Sequence, residues 1–329
     1  MSETTASLRR KIGSAQELQS VVRTMKALSA SNIGQYEQSV RALADYYRTV
    51  ELGLGVCLRA TGPAGTVANG QARSGEAGIT AVVFGSDQGL VGRFNDLVVE
   101  HALDTLATLP GSARIWAVGE RAHACLADAG LAVMGVFAVP NSARAIAPLV
   151  GRILLESELG DQRGDGSQLH LFYNRRMAGA IYAPVSQRLL PLDAGWRRSL
   201  VQLRWPTRNL PEAMGDGRAT LRALIREYVF VSLFRACAES LASENASRRA
   251  AMERADRNID ELLEHLRGNF HRLRQSGIDE ELFDVISGYE AMSKQARGRR
   301  ARGLSGDQIG APGGTGGSGR SFTEAGSAR

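Results

Sequence analysis

The chain has 329 residues, of which 43% are hydrophobic, 22% charged and only 6% aromatic. This is about twice a typical single domain and predicts a globular protein of at least two parts, packed mainly through aliphatic and small side chains. Lys plus Arg number 40 against 34 Asp plus Glu, a formal +6, too mild and too interleaved with acids for wrapping nucleic acid, which is left out of the expected partners.

Cys57, Cys125 and Cys237 lie far apart, are odd in number and form no CxxC pair. They suggest neither a disulfide framework nor a cysteine-rich zinc site, and a reducing compartment fits best. The N-terminal MSETTASLRRKIGS lacks the apolar core of a signal peptide, and no run approaches the roughly 20 apolar residues that cross a bilayer. The sequence therefore reads as soluble, or held at a membrane through partners.

No proline precedes Pro63 and none falls between Pro211 and Pro312. Because an interior proline costs a helix about 3 kcal/mol, two proline-free arms around a proline-punctuated centre predict two long helices flanking a folded domain. The first helix is expected over 1–57. Alternating steps of three and four from Leu8 give Lys11, Ala15, Leu18, Val22, Met25, Ser29, Asn32, Tyr36, Val40, Leu43, Tyr47, Val50, Leu54 and Cys57, a heptad seam with polar breaks at Lys11, Ser29 and Asn32.

Residues 58–78, rich in glycine, read as a flexible linker. An α/β unit follows over 79–205. ITAVVFG, RIWAVG, LAVMGVFAVP, QLHLFYNR and SQRLLPL read as strands, and NDLVVEHALDTLATL, ERAHACLADAG and NSARAIAPLVGRILLESEL as helices between them. That alternation predicts a mostly parallel sheet of Rossmann-like character. The second long helix is expected over 206–292, with Leu221, Leu224, Tyr228 and Val231 early and Ile259, Leu263, Leu266, Phe270 and Leu273 late. Between these lies a small-residue stretch suited to close helix approach. At 1.5 Å per residue, helices of about 50 and about 75 residues within these arms span roughly 75 and 110 Å, so they are expected to pair as a long antiparallel two-helix coiled coil with the α/β domain inserted between them. A helical bundle with a broken connection is the plainer alternative. Residues 293–329, basic and glycine-rich, read as a disordered tail.

The turn after the first strand carries Gly85, Gly89 and Gly92, with Asp87 and Asn95. Glycines between strand and helix can cradle phosphate, but the spacing is GxxxGxxG and the GK[ST] ending of a P-loop is missing. Tight turning and close packing, with local hydrogen bonds from Asp87 and Asn95, explain the same residues. His101, His123, His170, His265 and His271 form no HExxH, and His265 and His271, six apart, sit about 240° apart on a helix, unsuited to one metal. No serine stands in GxSxG context and no carboxylate pair marks a cleft. No catalytic residue, metal ligand or cofactor site is assigned.

Three further stretches carry a resemblance. They are LFRACAESLASENASRRAAMERADRNIDELLEHL at 233–266, SDQGLVGRFN at 86–95 and VVRTMKALSASN around Met25 and Lys26; HRLRQSGIDEELFDVISGYEAM at 271–292 adds a fourth. Over about 7–292 the chain resembles the gamma subunit of F-type ATP synthases, with Glu239, Ser240, Glu244, Asn245 and Arg248 in the family's signature helix and Asp87, Gly89, Gly92 and Asn95 in its turn. Asn32 stands where that family commonly has lysine, Asp279 where threonine is usual, and Gln88 and Val91 where arginine and cysteine are usual. The tail beyond Met292 points to a divergent copy, such as the alternative ion-translocating branch of the family.

The resemblance implies a non-catalytic central rotor inside a hexamer of three alpha and three beta subunits. Its α/β domain would be a foot meeting the epsilon subunit and the ring of c subunits at the cytoplasmic face of a bacterial inner membrane. Met25 and Lys26 would face the beta subunits' lever loops, and Arg274, Gln275 and Glu281 their catch region; Met25, on the seam, could equally be interhelical core. Rotation would couple proton or sodium flow to ATP synthesis or hydrolysis. Two other classes compete, a nucleotide-binding α/β enzyme with helical arms and a stand-alone coiled-coil scaffold.

Overall fold

The computed structural model describes residues 4–61, 78–160, 168–209, 211–212 and 216–303. The elements in chain order are α1 (Thr5–Thr61), β1 (Ile79–Phe84), α2 (Phe94–Ala107), β2 (Ala113–Val118), α3 (Glu120–Asp128), β3 (Val133–Phe137), a 3-10 turn at Ala143–Ala145, α4 (Ile146–Gly160), β4 (Gln168–Met177), β5 (Ala180–Leu190), α5 (Ala194–Gln202) and α6 (Gly217–Gly303). They fall into two compact units, 13–264 and a second made of 1–12 with 265–329.

In the larger unit the sheet runs β3-β2-β1-β4-β5. β1 pairs in parallel with β2 and β4, and β2 with β3, while β5 is antiparallel to β4. All six side chains of β1 are buried, as a central strand covered on both faces requires. Alternation splits them. Val82 and Phe84 join Leu169, Leu171 and Tyr173 in a core shared with α1, α4 and α6, whereas Ala81 and Val83 join Phe172, Ile115 and Ala117 beneath α2 and α3. The sheet is thus a middle layer, and Val50, Leu54 and Cys57 of α1 with Leu221, Tyr228 and Leu233 of α6 close one side of it.

Within that unit α1 and α6 run antiparallel. Going up α1 through Gln19, Arg23, Asn32 and Tyr46, the hydrogen-bond partners go down α6 through Asp260, Asp256, Asn245 and Glu227. In the smaller unit Leu8 and Leu266 are buried, and the Arg9 guanidinium lies 5.7 Å from the Phe270 ring centroid.

The seam differs in phase from the heptad reading. Leu18 is 55% exposed and Lys11 is also exposed, while Gln19 and Ile33 turn inward with Ala15, Val22, Ser29 and Tyr36. A straight α-helix drifts from a strict seven-residue repeat, and steps of 11, as from Leu8 to Gln19 and from Val22 to Ile33, follow it better. Gln19 tolerates burial because its Nε2 donates to Asp260 and Asp256.

Several boundaries also move. Residues 58–61, expected as linker, continue α1, since Leu58 still packs on the core and Arg59 suits a helix C-terminus; 62–77 lie outside the described residues. The second long helix begins at Gly217 rather than 206, because Pro206 and Pro211 interrupt the approach. At the other end 293–303, expected as disordered tail, remain helical, in keeping with their Lys, Gln, Ala and Arg content; 304–329 lie outside the described residues. β5 starts at Ala180, joined to β4 through Ala178 and Gly179, whose φ is +86°. As a sheet edge it accommodates Pro184. α5 was not foreseen, although Asp193 caps it by accepting from Trp196 N at 2.8 Å.

Candidate functional site

The stretch RACAESLASENASRR brings polar side chains into the interior of the larger unit. Ser240, Ser243, Glu244, Asn245 and Ser247 are all buried on α6. Small side chains let neighbouring elements come close, and each polar group then needs a partner. Glu239 meets Arg175 of β4 at 2.6 Å and Arg235, four residues earlier, at 2.8 Å. Asn245 donates to Leu241 O at 2.8 Å and accepts from Asn32 of α1 at 3.3 Å. Ser247 Oγ donates to Val91 O in the turn after β1 at 2.5 Å.

Glu244 and Arg248 form an i,i+4 ion pair at 2.6 Å with side chains only 7% and 14% exposed. Burial pushes the Glu244 carboxyl above its ordinary value, and Arg248 pulls it back. Nearby, burial raises the Tyr36 hydroxyl to about 12. These groups face a cavity of about 350 Å³, closed by Met25 and Asn32 of α1, Asp87 and Gln88 of the turn, and Asn141 beyond β3. Three stretches singled out in the sequence, the signature helix, the turn and the segment around Met25, therefore meet at one place.

The turn's polar residues serve the fold. Asn95 Oδ1 accepts from Ser86 N at 2.9 Å, and its Nδ2 donates to Ser86 Oγ at 2.9 Å. Asp87 reaches further than the local bonding expected of it: Oδ1 accepts from Glu120 N at 3.1 Å and Oδ2 from Val139 N at 3.0 Å, tying together the loops after β2 and β3. A Cβ on Gly85 would stand 2.4 Å from Ala122 Cβ, so this glycine permits close approach; Gly92 takes φ +60°. Gly89 is sterically open.

Lys26 is half-buried, and its Nζ pairs with Asp256 Oδ2 at 2.9 Å. Arg23 joins the same carboxylate at 3.0 Å. Lys26 and Arg23 together hold the Asp256 carboxyl below its ordinary value. Met25 is half-buried and lines the cavity. Sequence reasoning missed Asp256 and Asp260, whose i,i+4 spacing opposite Arg23 and Lys26 was the available signal. It also missed Arg175 as the partner of Glu239, for which no local pattern existed.

Arg274, Gln275 and Glu281 lie in the smaller unit, all exposed, with Gln275 Nε2 donating to Asp279 at 3.2 Å. Beside them α6 presents Leu282, Phe283, Val285, Tyr289 and Met292, between 57% and 71% exposed. Among the described residues no group of three His, Cys, Asp or Glu is placed to hold a metal ion, and no helix is long and apolar enough to cross a membrane.

Comparison with known proteins gives a consistent picture. The family model described as ATP synthase matches residues 4–292. An ATP synthase gamma chain from Sorangium cellulosum is 26% identical over 323 residues, covering 88% of this chain and 98% of its own length. One from Sinorhizobium medicae is 27% identical over 293 residues, covering 87% and 98%. Among solved structures, a chain of the Euglena gracilis mitochondrial ATP synthase, described as OSCP/F1/c-ring in rotational state 3, shares the fold with a TM-score of 0.59 at 16% identity, covering 93% of this chain and 97% of that one.

Proposed function

The chain belongs to the ATP synthase gamma-chain family, and from that premise we propose that it is the turning element of the central stalk, coupling transmembrane ion flow to ATP synthesis or hydrolysis on neighbouring subunits. As a central-stalk subunit it transmits force and leaves the chemistry to others. Its two long helices, α1 and α6, act as the shaft inside an alpha–beta hexamer, and 79–205 act as the foot against the epsilon subunit and the c ring. The complex holds it at the cytoplasmic face of a bacterial inner membrane.

The observation that carries this reading is the exposed apolar run of α6 from Leu282 to Met292. A contiguous apolar patch of that kind marks a surface that partners enclose. Burying each such side chain is worth about 1.5–3 kcal/mol, which favours a helix end seated in a sleeve of other subunits. Met25 and Lys26 lie against the beta subunits' lever loops, and Arg274, Gln275 and Glu281 against the catch region.

Coupling then follows from differential contact. Turning an asymmetric shaft changes which conformation of each beta subunit is favoured, so nucleotide affinity changes with angle. One charge crossing 100 mV releases about 2.3 kcal/mol, so several ions must be gathered for each ATP. A rigid shaft accumulates their work.

The test is Arg274→Glu with Gln275→Glu in the assembled complex. Coupled ATP synthesis is expected to fall more than assembly does. Unchanged synthesis with normal assembly refutes these contacts.

A further inference from the structure

In the larger unit, the last turn of α1 and helix α5 enclose a cavity of about 690 Å³. Its wall carries Arg59, Arg197 and Arg198 and an apolar side formed by Leu58, Ala194 and Val201, and among the described residues no carboxylate lines it. Arg59 and Arg198 each donate Nε to a carbonyl of their own helix, Gly55 O at 3.2 Å and Ala194 O at 3.3 Å. These bonds fix the stems and leave the terminal nitrogens for an anion. The neighbouring acid, Asp193, lies outside the lining; it caps α5 through Trp196 N and pairs with Arg188 at 3.6 Å, and it also feels the charge of Arg198.

The sequence around the cavity has the same character. Between Ala194 and Asn209 there are four arginines, Arg197, Arg198, Arg204 and Arg208, and no acid. Trp205 is half-buried in the same segment, and Val201 is 37% exposed. Guanidinium groups match phosphate oxygens in pairs, which an ammonium cannot do. Arginine and tryptophan beside an exposed aliphatic wall are the residues that suit the headgroup level of a bilayer. An acidic protein loop would satisfy the arginines but leave the apolar side without purpose.

We propose that this cavity seats the phosphate headgroup of an anionic phospholipid, with Leu58, Ala194 and Val201 against its glycerol and upper acyl carbons. The inference rests on the foot domain facing the membrane sector, as proposed above. It adds a direct lipid contact to a protein otherwise held there through other subunits.

Flotation of the purified full chain with vesicles tests this independently of ATP synthesis, so failure of the rotor reading and failure of the lipid seat are distinguishable. The basic stretch directly after Met292 is first neutralised in every sample, by Lys294→Gln, Arg297→Gln, Arg299→Gln, Arg300→Gln and Arg302→Gln. The chain should float with phosphatidylcholine vesicles containing about one-third phosphatidylglycerol and not with phosphatidylcholine alone. Arg197→Gln with Arg198→Gln should lower the partition coefficient about 30-fold, roughly fivefold per guanidinium removed near an anionic surface. Arg254→Gln with Arg257→Gln, an equal charge change on exposed α6 residues, should leave binding within twofold. Equal loss in both pairs means a general charge effect and overturns the proposal. So does release by inorganic phosphate beyond that by chloride of equal ionic strength, which marks a free-phosphate site. Binding to isolated c ring without binding to the vesicles assigns the arginines to an acidic protein surface and also overturns it.

Discussion

Replacing Arg248 with Met tests the buried ion pair at the centre of the larger unit. The change removes the cation 2.6 Å from the Glu244 carboxylate and leaves that carboxylate almost wholly buried, with Asp87 as an acidic neighbour. Stranding a buried charge in this way costs about 3–5 kcal/mol. For a unit of this size that is a fall of about 9–15 °C in Tm, at roughly 3 °C per kcal/mol. The deficit depends on pH with a definite sign. Burial already raises the folded-state carboxyl above its unfolded value, and loss of Arg248 raises it further. Protonation therefore favours the folded variant: the deficit is smallest below the ordinary carboxylate range and grows as pH rises through the folded value. Thermal melts of the wild-type and variant chains from about pH 5 to about pH 8 read both quantities. The double replacement Glu244→Met with Arg248→Met removes both charges and should recover most of the loss. A single-variant cost under about 1 kcal/mol, or a deficit equal at the two ends of the pH range, would refute the reasoning.

Two further perturbations probe the surroundings. Asp87→Ala removes the acceptor for two backbone N–H groups and should cost about 1–3 kcal/mol, with faster amide exchange at Glu120 and Val139 and unchanged exchange in β1; unaltered protection at both amides counts against the double cap. Asp256→Asn weakens the Arg23–Lys26 clasp. Because the Asp256 carboxyl is held below its ordinary value, its contribution is present above the unfolded pKa and is lost as pH falls through the folded one. Melts of wild type and Asp256→Asn should differ at neutral pH and converge in acid; a difference that persists in acid contradicts this assignment.

The legible parts of the fold were those set by short-range pattern. The apolar run Ile79–Phe84, buried throughout, could hardly be anything but a central strand, and proline-free arms of these lengths could hardly be anything but helices. The phase of the α1 seam was less legible. Choosing between Leu18 and Gln19 depends on Asp260, 241 residues from Gln19 in sequence. The same limit applied to the site. Resemblance singled out Glu239, Glu244, Asn245 and Arg248, but that Glu239 faces Arg175, or that Asp87 caps two loops, is a property of the folded topology rather than of any local spacing. β5 was seen only in its second half, because an edge strand exposes one side and carries Pro184 without penalty.

The polar side chains buried on α6 act as indexing pins. A seam of leucines could settle a turn higher or lower at modest cost, since one aliphatic contact substitutes for another. Ser247 against Val91 O, Asn245 against Asn32 and Glu239 against Arg175 engage three different elements at once, and slipping α6 by one turn, about 5.4 Å, breaks all three together. The helix is therefore keyed to the sheet and to α1 at a single angle, so a twist applied at the sheet reaches this stretch of helix without lost motion.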